Sequence, residues 1–497
     1  MGSRVTSVGI QAFGGYVPRR RLQRSVIAES NAWFNPGLKR FGAGERAIAS
    51  WDEDAVTMAV EAARDALGKV ARDSVRGVYL ASTSLPFLDR QNSGIVSEAL
   101  RLGSELRTLD IGGSQRAGTS SLVAAFQTVA GGGGPLLVVG SEKRRTRAAS
   151  PLELTTGDGA AALLVTEGDG AARLLGHASE TVDFVDHYRG QNQPFDYVWE
   201  ERWVRDEGYL KIVPVTVGRA LAAAGIEAGA VDHFCFPAAA RRVAQTLART
   251  IGIGEARIRD NLQGTCGETG AAHPLLMLVH ALEDAVPGDT IVVVGFGQGC
   301  DAVVLEVCTA VTDRDPGVGV HGHLEWRWED NNYQRYLATN DLVEIERGLR
   351  AEVDKQTGLT TLYRNKEMLL GFVGGCCTKC GTPQYPRGNL CANPACGAVG
   401  RQDEHPFSES GARLNSYTAD QLTYSVDPPA YYGMVQFDEG GRAMLDLADV
   451  DPHVTPEVGQ RMRMVFRVKD YDRARGFRRY FWKAAPALVP VEVEGAV

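Results

Sequence analysis

The sequence predicts a duplicated α/β fold followed by a small cysteine-bearing module and a small all-β barrel. Three observations predict it. Apolar runs of strand length alternate with stretches of helical periodicity over residues 5–308. Two similar apolar hairpins close the two halves of that stretch. Five of the nine cysteines crowd into residues 376–396, ahead of a series of short β-like segments.

The elements follow in order. Residues 5–12 read as a strand, and 54–67 place Val56, Met58, Ala59, Ala62, Ala63 and Ala66 at helical spacing. Residues 77–81 read as a short strand and 92–102 as a helix. Residues 119–129 form an Ala/Ser-rich helix suited to close packing, and PLLVVG at 135–140 has the length of a buried strand. This alternation argues for α/β layers with covered sheets. Residues 135–166 carry PLLVVGSEK and then GDGAAALLVTE, while 287–310 carry PGDTIVVVGFGQG and then CDAVVLEVCTA. Each is an apolar strand, a Gly-containing turn and a second apolar strand, the mark of a duplicated unit. The halves are placed at 1–165 and 166–308. Residues 309–324, rich in Gly, Asp and Pro, read as a linker, and 325–370 as a helical connector. Residues 371–402 hold the cysteine module, and the short strands of 403–497 suggest a barrel.

Composition narrows the function. A net charge of -8 over 497 residues argues against a nucleic-acid binder, which carries a basic face. The acids Asp438, Glu439, Asp446, Asp449 and Asp451 weaken that reading for the barrel too, and Arg461, Arg463, Arg467 and Lys469 read as a solvated edge strand. No segment reads as a signal peptide or approaches the roughly 20 apolar residues of a membrane helix, so the cytoplasm is expected. In that compartment clustered cysteines point to a metal rather than disulfides. Cys377 and Cys380, then a gap of ten residues, then Cys391 and Cys396, place four thiolates on two knuckles. Zinc suits that ligand set, and with no protein ligand missing the site reads as structural. Cys376 reads as a bystander.

With these segments assembled, the chain resembles known proteins over nearly its whole length. VGIQAFGGYVPRRRL, LDIGGSQRAGTSSL, TTGDGAAALLV, DHFCFPAAARR, GTCGETGAAHPLLML and the GFGQG loop resemble hydroxymethylglutaryl-CoA synthase and β-ketoacyl carrier-protein synthase III of the thiolase superfamily. CTKCG, LCANPACG and VGQRMRMVFRV resemble the rubredoxin-like zinc ribbon and OB-fold domain that accompanies thiolase-like proteins. The resemblance implies a layered αβαβα fold, an acyl-CoA thioester as substrate and a homodimer.

The same resemblance exposes departures. Gln115 falls where the family has its nucleophilic cysteine, and Pro237 where it has a histidine. Glu268 replaces the asparagine of a G-N-T segment, and Thr83 falls near the synthase's acid/base glutamate. A glutamine forms no stable acyl-enzyme, but its amide N–H can stabilise an enolate or oxyanion. Glu268 brings a carboxylate to the pocket as a candidate general base, with His273 and the thiol of Cys266 nearby. Each has a plainer role open to it: a helix-start carboxylate, a packed histidine, a small buried hydrophobe. The polar loop 186–197, with His187 and Tyr188, is placed at the substrate mouth. The leading expectation is a carbon–carbon lyase of aldol or retro-aldol type acting beside an acyl-CoA thioester without an acyl-cysteine. A Claisen-type acyltransferase using Cys266 and an inactive acyl-CoA-binding scaffold are the alternatives.

Overall fold

Apolar runs from both halves of the first 308 residues become strands of one nine-stranded sheet. The structure, a computed structural model, describes residues 7–238, 242–310, 318–346 and 357–487. Two compact units divide the chain, Met1–Val343 and Glu344–Val497.

In the first unit the sheet runs, from edge to edge, His233–Cys235, Thr290–Phe296, Gly299–Val307, Ala172–Thr181, Val8–Tyr16, Gly159–Glu167, Leu136–Glu142, Gly77–Ala81 and Arg107–Ile111. Read outward from its middle, the sheet repeats itself. Val8–Tyr16 pairs antiparallel with Gly159–Glu167, which pairs antiparallel with Leu136–Glu142, which lies parallel to Gly77–Ala81. Ala172–Thr181, Gly299–Val307, Thr290–Phe296 and His233–Cys235 follow the same sequence of pairings. The two hairpins recognised in sequence occupy equivalent places. Leu136–Glu142 and Thr290–Phe296 are buried at every residue, so they read as continuous apolar runs rather than alternating ones.

Two helices fill the space between the halves, Ala117–Ala130 and His273–Asp284. Small residues let them approach: a Cβ on Gly118 would stand 2.2 Å from the Ala271 carbonyl oxygen. Ala55–Leu67 and Leu210–Ala224 cover the outer faces. The layered duplicated fold is therefore present. Asp54 starts Ala55–Leu67 with a capping box, its Oδ1 accepting from the amides of Val56 and Thr57 at 3.0 Å each.

Regular elements run through the last part of the expected linker and into the connector. Residues 319–325 are a helix, Gly319–Glu325, held to His273–Asp284 by Glu283, and Trp328–Asp330 is a strand pairing with Arg20–Gln23. A second short helix, Tyr333–Thr339, packs Tyr333 and Tyr336 into a core with Leu22, Ile27 and Leu154. Burial of those aromatics carries the first unit through Val343, past the proposed linker. Residues 311–317 of that linker, 347–356 of the connector and 239–241 of the DHFCFPAAARR segment lie outside the described residues.

The second unit holds two sheets. Val373–Cys377 sits between Pro383–Gln384 and Gln402–Pro406. The other sheet runs Arg442–Asp446, Ala430–Phe437, Ala412–Asp420, Arg461–Asp472 and Phe477–Pro486, and a bridge from Leu447 to Ala484 turns it towards closure as an OB barrel. Arg461–Asp472 is an inner strand, not the edge expected. Its basic residues face carboxylates: Arg461 on Asp438 at 2.8 Å, Arg467 on Asp449 at 2.9 Å and Lys469 on Asp446 at 2.7 Å.

Candidate active site and cysteine cluster

The Arg107–Ile111 strand ends in Gly112 and Gly113, and the chain turns into the helix Ala117–Ala130 at Gln115. Gly113 has φ +84°, which suits a residue without a Cβ. Gln115 thus sits where the helix N-terminus concentrates donors and positive potential. Its place is tight against the GFGQG loop, since a Cβ on Gly297 would lie 3.1 Å from the Gln115 amide nitrogen. Ser114 ties the two together by donating to the Gly297 carbonyl at 2.8 Å.

Arg144 and His187 present donors to the Gln115 side-chain amide; with that amide turned to suit them, its oxygen accepts from Arg144 Nη1 at 2.8 Å, Arg144 Nη2 at 2.9 Å and His187 Nε2 at 3.0 Å. Arg144 follows the Leu136–Glu142 strand and its side chain is 2% exposed. It also donates to Glu268 Oε2 at 2.9 Å and to Asp196 Oδ2 at 2.5 Å. Burial alone would lower the Arg144 pKa, but Glu268, Asp196 and Glu142 outweigh it and hold the guanidinium charged. Burial likewise opposes the charge of Asp196, and Arg144 with Arg189 reverses this, leaving its pKa below the usual carboxylate range. His187 Nδ1 faces Asp186 Oδ2 at 2.9 Å, and Nε2 faces Gln115 on the other side of the ring. Asp186, His187 and Asp196 belong to a hairpin, His187–Tyr188 paired with Tyr197–Val198, that Arg189 fastens to Asp196 and to the Thr83 carbonyl.

Glu268 comes to this cluster because its backbone is pinned. Its amide donates to the Thr155 carbonyl at 2.8 Å, and its carbonyl accepts from Gly157 at 2.8 Å. A Cβ on Gly157 would stand 1.9 Å from the Cys266 carbonyl oxygen, so only glycine allows that approach. Both Glu268 carboxylate oxygens are engaged, one by Arg144 and the other by the Gly270 amide at 2.7 Å. Glu142, fully buried at the end of its strand, takes donors from Ser82, Thr83, Ser84 and the Ala271 amide.

The sequence candidates therefore separate. Gln115 and Glu268 meet, bridged by Arg144. His273 lies apart from them in the core: Nδ1 accepts from the Thr269 amide at 3.1 Å, Nε2 donates to the Asn261 carbonyl at 2.9 Å, and burial lowers its pKa. Cys266 is fully buried, and burial pushes its thiol up to about 12. Pro237 lies just beyond the His233–Cys235 strand. Arg144 is not found by sequence reasoning, and Asp186 and Asp196 fall in the polar loop 186–197 without being singled out; only the fold brings them to Gln115. The run SEKRR after an apolar strand was the one sequence signal for Arg144.

In the second unit, Cys377, Cys380, Cys391 and Cys396 present sulfurs all within 4.8 Å of one another. Cys377 and Cys396 are 3.9 Å apart, and Cys380 and Cys391 3.6 Å. Four thiolates at about 2.3 Å from a tetrahedral zinc stand roughly 3.8 Å apart, so the set fits such a cation. Gly381 and Gly397, after each pair, have φ of +70° and +56° and let the knuckles turn. Cys376 is outside the set and points at the Gly381 carbonyl.

Comparison with known proteins identifies the family of the fold. Residues 221–307 match the family 3-oxoacyl-[acyl-carrier-protein] synthase III C terminal, and 405–467 match the C-terminal OB-fold domain of ChsH2. The hydroxymethylglutaryl-CoA synthase of Aeropyrum pernix is 30% identical over 318 residues, 63% of this chain and 88% of that one. That of Caldivirga maquilingensis is 29% identical over 356 residues, 69% of this chain and 100% of that one. Among solved structures, HMG-CoA synthase complexed with CoA superposes with a TM-score of 0.58 at 18% identity, covering 71% of this chain and 95% of that one. 3-Oxoacyl-(acyl carrier protein) synthase III from Pseudomonas aeruginosa superposes with a TM-score of 0.54 at 22% identity, covering 61% and 98%. The chain belongs to the hydroxymethylglutaryl-CoA synthase family, of the thiolase superfamily, and carries an OB-fold domain at its C-terminal end.

Proposed function

We propose that this chain acts on the carbon–carbon bond next to an acyl-CoA thioester, as an aldol or retro-aldol lyase that uses no acyl-cysteine. The observation that carries this reading is Gln115 at the helix N-terminus, its oxygen held by Arg144 and His187. With the oxygen so occupied, the amide N–H groups are left to donate to a thioester oxygen that becomes an enolate. The Asp186–His187 pair is the proton carrier in this reading. Glu268 serves as Arg144's partner rather than as the base, because both its oxygens already have donors. His273 positions the Thr269 turn.

A second reading is Claisen-type acyl transfer, and the names of the relatives favour it. Hydroxymethylglutaryl-CoA synthases are the relatives found over most of the first unit. It needs a nucleophile, and Cys266 is too buried and too weakly acidic to supply one. The inactive scaffold is the third outcome of the same test. The rest of the reading completes the picture: a structural zinc on the four cysteines, the cytoplasm as compartment, and a homodimer through the free edge strand Arg107–Ile111, which leaves Leu109 exposed. No helix among the described residues is long and apolar enough to cross a membrane.

The test is to incubate the full chain with a panel of acyl-CoAs and 3-hydroxyacyl-CoAs, then measure intact protein mass and products. Cleavage of a 3-hydroxyacyl-CoA to a shorter acyl-CoA and a carbonyl product, at unchanged protein mass, is expected. A stable acyl adduct establishes the transferase instead. Neither adduct nor turnover across the panel establishes the scaffold.

A further inference from the structure

Away from Gln115, the first unit gathers a second group of ligating side chains where the helices His273–Asp284 and Gly319–Glu325 meet. We propose that His280, Asp284 and His321 form a site for a divalent transition-metal cation that ties these two helices together.

His280 and Asp284 are four residues apart on one helix and so share a face. His321 arrives from the other helix and is aimed by Glu283. That carboxylate accepts from the Val320 amide at 2.6 Å, from the His321 amide at 3.0 Å and from His321 Nδ1 at 3.0 Å. The proton is thereby placed on Nδ1, and the Nε2 lone pair is turned towards Asp284 Oδ1, 3.6 Å away. A carboxylate behind a ligating imidazole is the arrangement that orients metal-bound histidines and raises their basicity. The His280 ring lies 4.4 Å from that of His321, centre to centre. One ligand atom from each of the three residues lies within 4.8 Å of the other two. Donors around a tetrahedral cation with bonds of about 2.1 Å stand roughly 3.4 Å apart. The side chains of His321 and Asp284 are 44% and 43% exposed, so rotation of exposed side chains is what closes that difference. Two imidazoles and one carboxylate select zinc, copper or nickel over magnesium or calcium, which prefer oxygen.

A neighbouring positive charge balances the cluster. Arg259 Nη2 donates to His280 Nδ1 and to the His280 carbonyl, each at 3.3 Å, and to Asp284 Oδ2. The guanidinium supplies positive charge on one side of Asp284, and the other oxygen remains for the metal. Its charge opposes a second cation beside Asp284, so Arg259 is a competitor built into the site. The site is separate from the four cysteines, which belong to the other unit.

The test uses the full chain with its cysteines first saturated with one equivalent of zinc. Copper(II) is then titrated, with elemental analysis for stoichiometry and electron paramagnetic resonance for the ligands. One further equivalent is expected, with superhyperfine splitting from two nitrogens. His321→Ala removes one nitrogen, Glu283→Gln weakens binding about 10–100-fold, and Arg259→Met tightens it. The gain from Arg259→Met reads the site independently of any loss through misfolding. No copper beyond the zinc equivalent overturns the proposal, as does uptake unchanged in His321→Ala or matched by zinc release.

Discussion

Replacing Arg144 by methionine removes the cation shared by Glu268, Asp196 and the Gln115 oxygen, and leaves Asp196 paired with Arg189 at 3.1 Å. The side chains left behind are 4% exposed for Asp196 and 17% for Glu268. Breaking a buried ion pair by deleting one partner costs about 3–5 kcal/mol, because the surviving charge stays desolvated. For a unit of this size that corresponds to a fall of roughly 4–7 °C in the melting transition. The pH dependence has a definite sign. In the native chain Asp196 has a lowered pKa, so its contribution is present above the ordinary carboxylate range and is lost as pH falls through its lowered value. In Arg144→Met burial acts on Asp196 without its main opposing charge. The penalty is then greatest at neutral pH and shrinks at lower pH as Asp196 takes up a proton. Differential scanning calorimetry of the full chain at pH 7 and pH 4.5, following the first unit's transition, measures both effects. Arg144→Met with Asp196→Asn and Glu268→Gln recovers most of the loss, since the stranded charges are gone. A single variant within about 0.5 kcal/mol of the native chain refutes the buried-pair reasoning, because that is the range of an ordinary surface substitution.

Three further outcomes are expected. Cys266, buried and with its thiol pushed up to about 12, resists iodoacetamide in the folded chain at pH 8 and is alkylated only after denaturation; peptide mapping that finds it labelled in the native protein restores it as a nucleophile. Strong chelation, or Cys391→Ser, melts the fold around Val373–Cys377 while leaving the first unit's calorimetric transition in place; an unchanged hydrogen-exchange pattern there rules out a structural metal. Leu109→Arg on the exposed edge strand converts a dimer to a monomer by analytical ultracentrifugation; a native chain already monomeric at micromolar concentration ends the dimer reading.

The site was legible in unequal parts. Gln115 and Glu268 are found from sequence because each sits in a glycine-bearing turn that matches a family segment, and such turns keep their geometry locally. Cys266 and His273 share a segment with Glu268, yet one is enclosed by packing and the other is spent on a carbonyl and an amide. Sequence neighbourhood says nothing of which way a side chain faces. The sequence offers a basic run for Arg144 and a polar loop for Asp186 and Asp196 but nothing that pairs them, since the charge partners of Arg144 lie 52 and 124 residues away.

Local and periodic information belongs to the sequence by itself. Apolar runs with a repeated order settle the duplicated α/β fold, and four cysteines on two knuckles settle the geometry of the ribbon, because these depend on neighbours a few residues apart. The tertiary structure alone decided which charges meet. It set a buried arginine against the replaced nucleophile position, took both oxygens of Glu268, and turned Arg461–Asp472 from an expected edge into an inner strand. The physical reason is that electrostatics and burial are properties of distance in space, and chain separation does not report them.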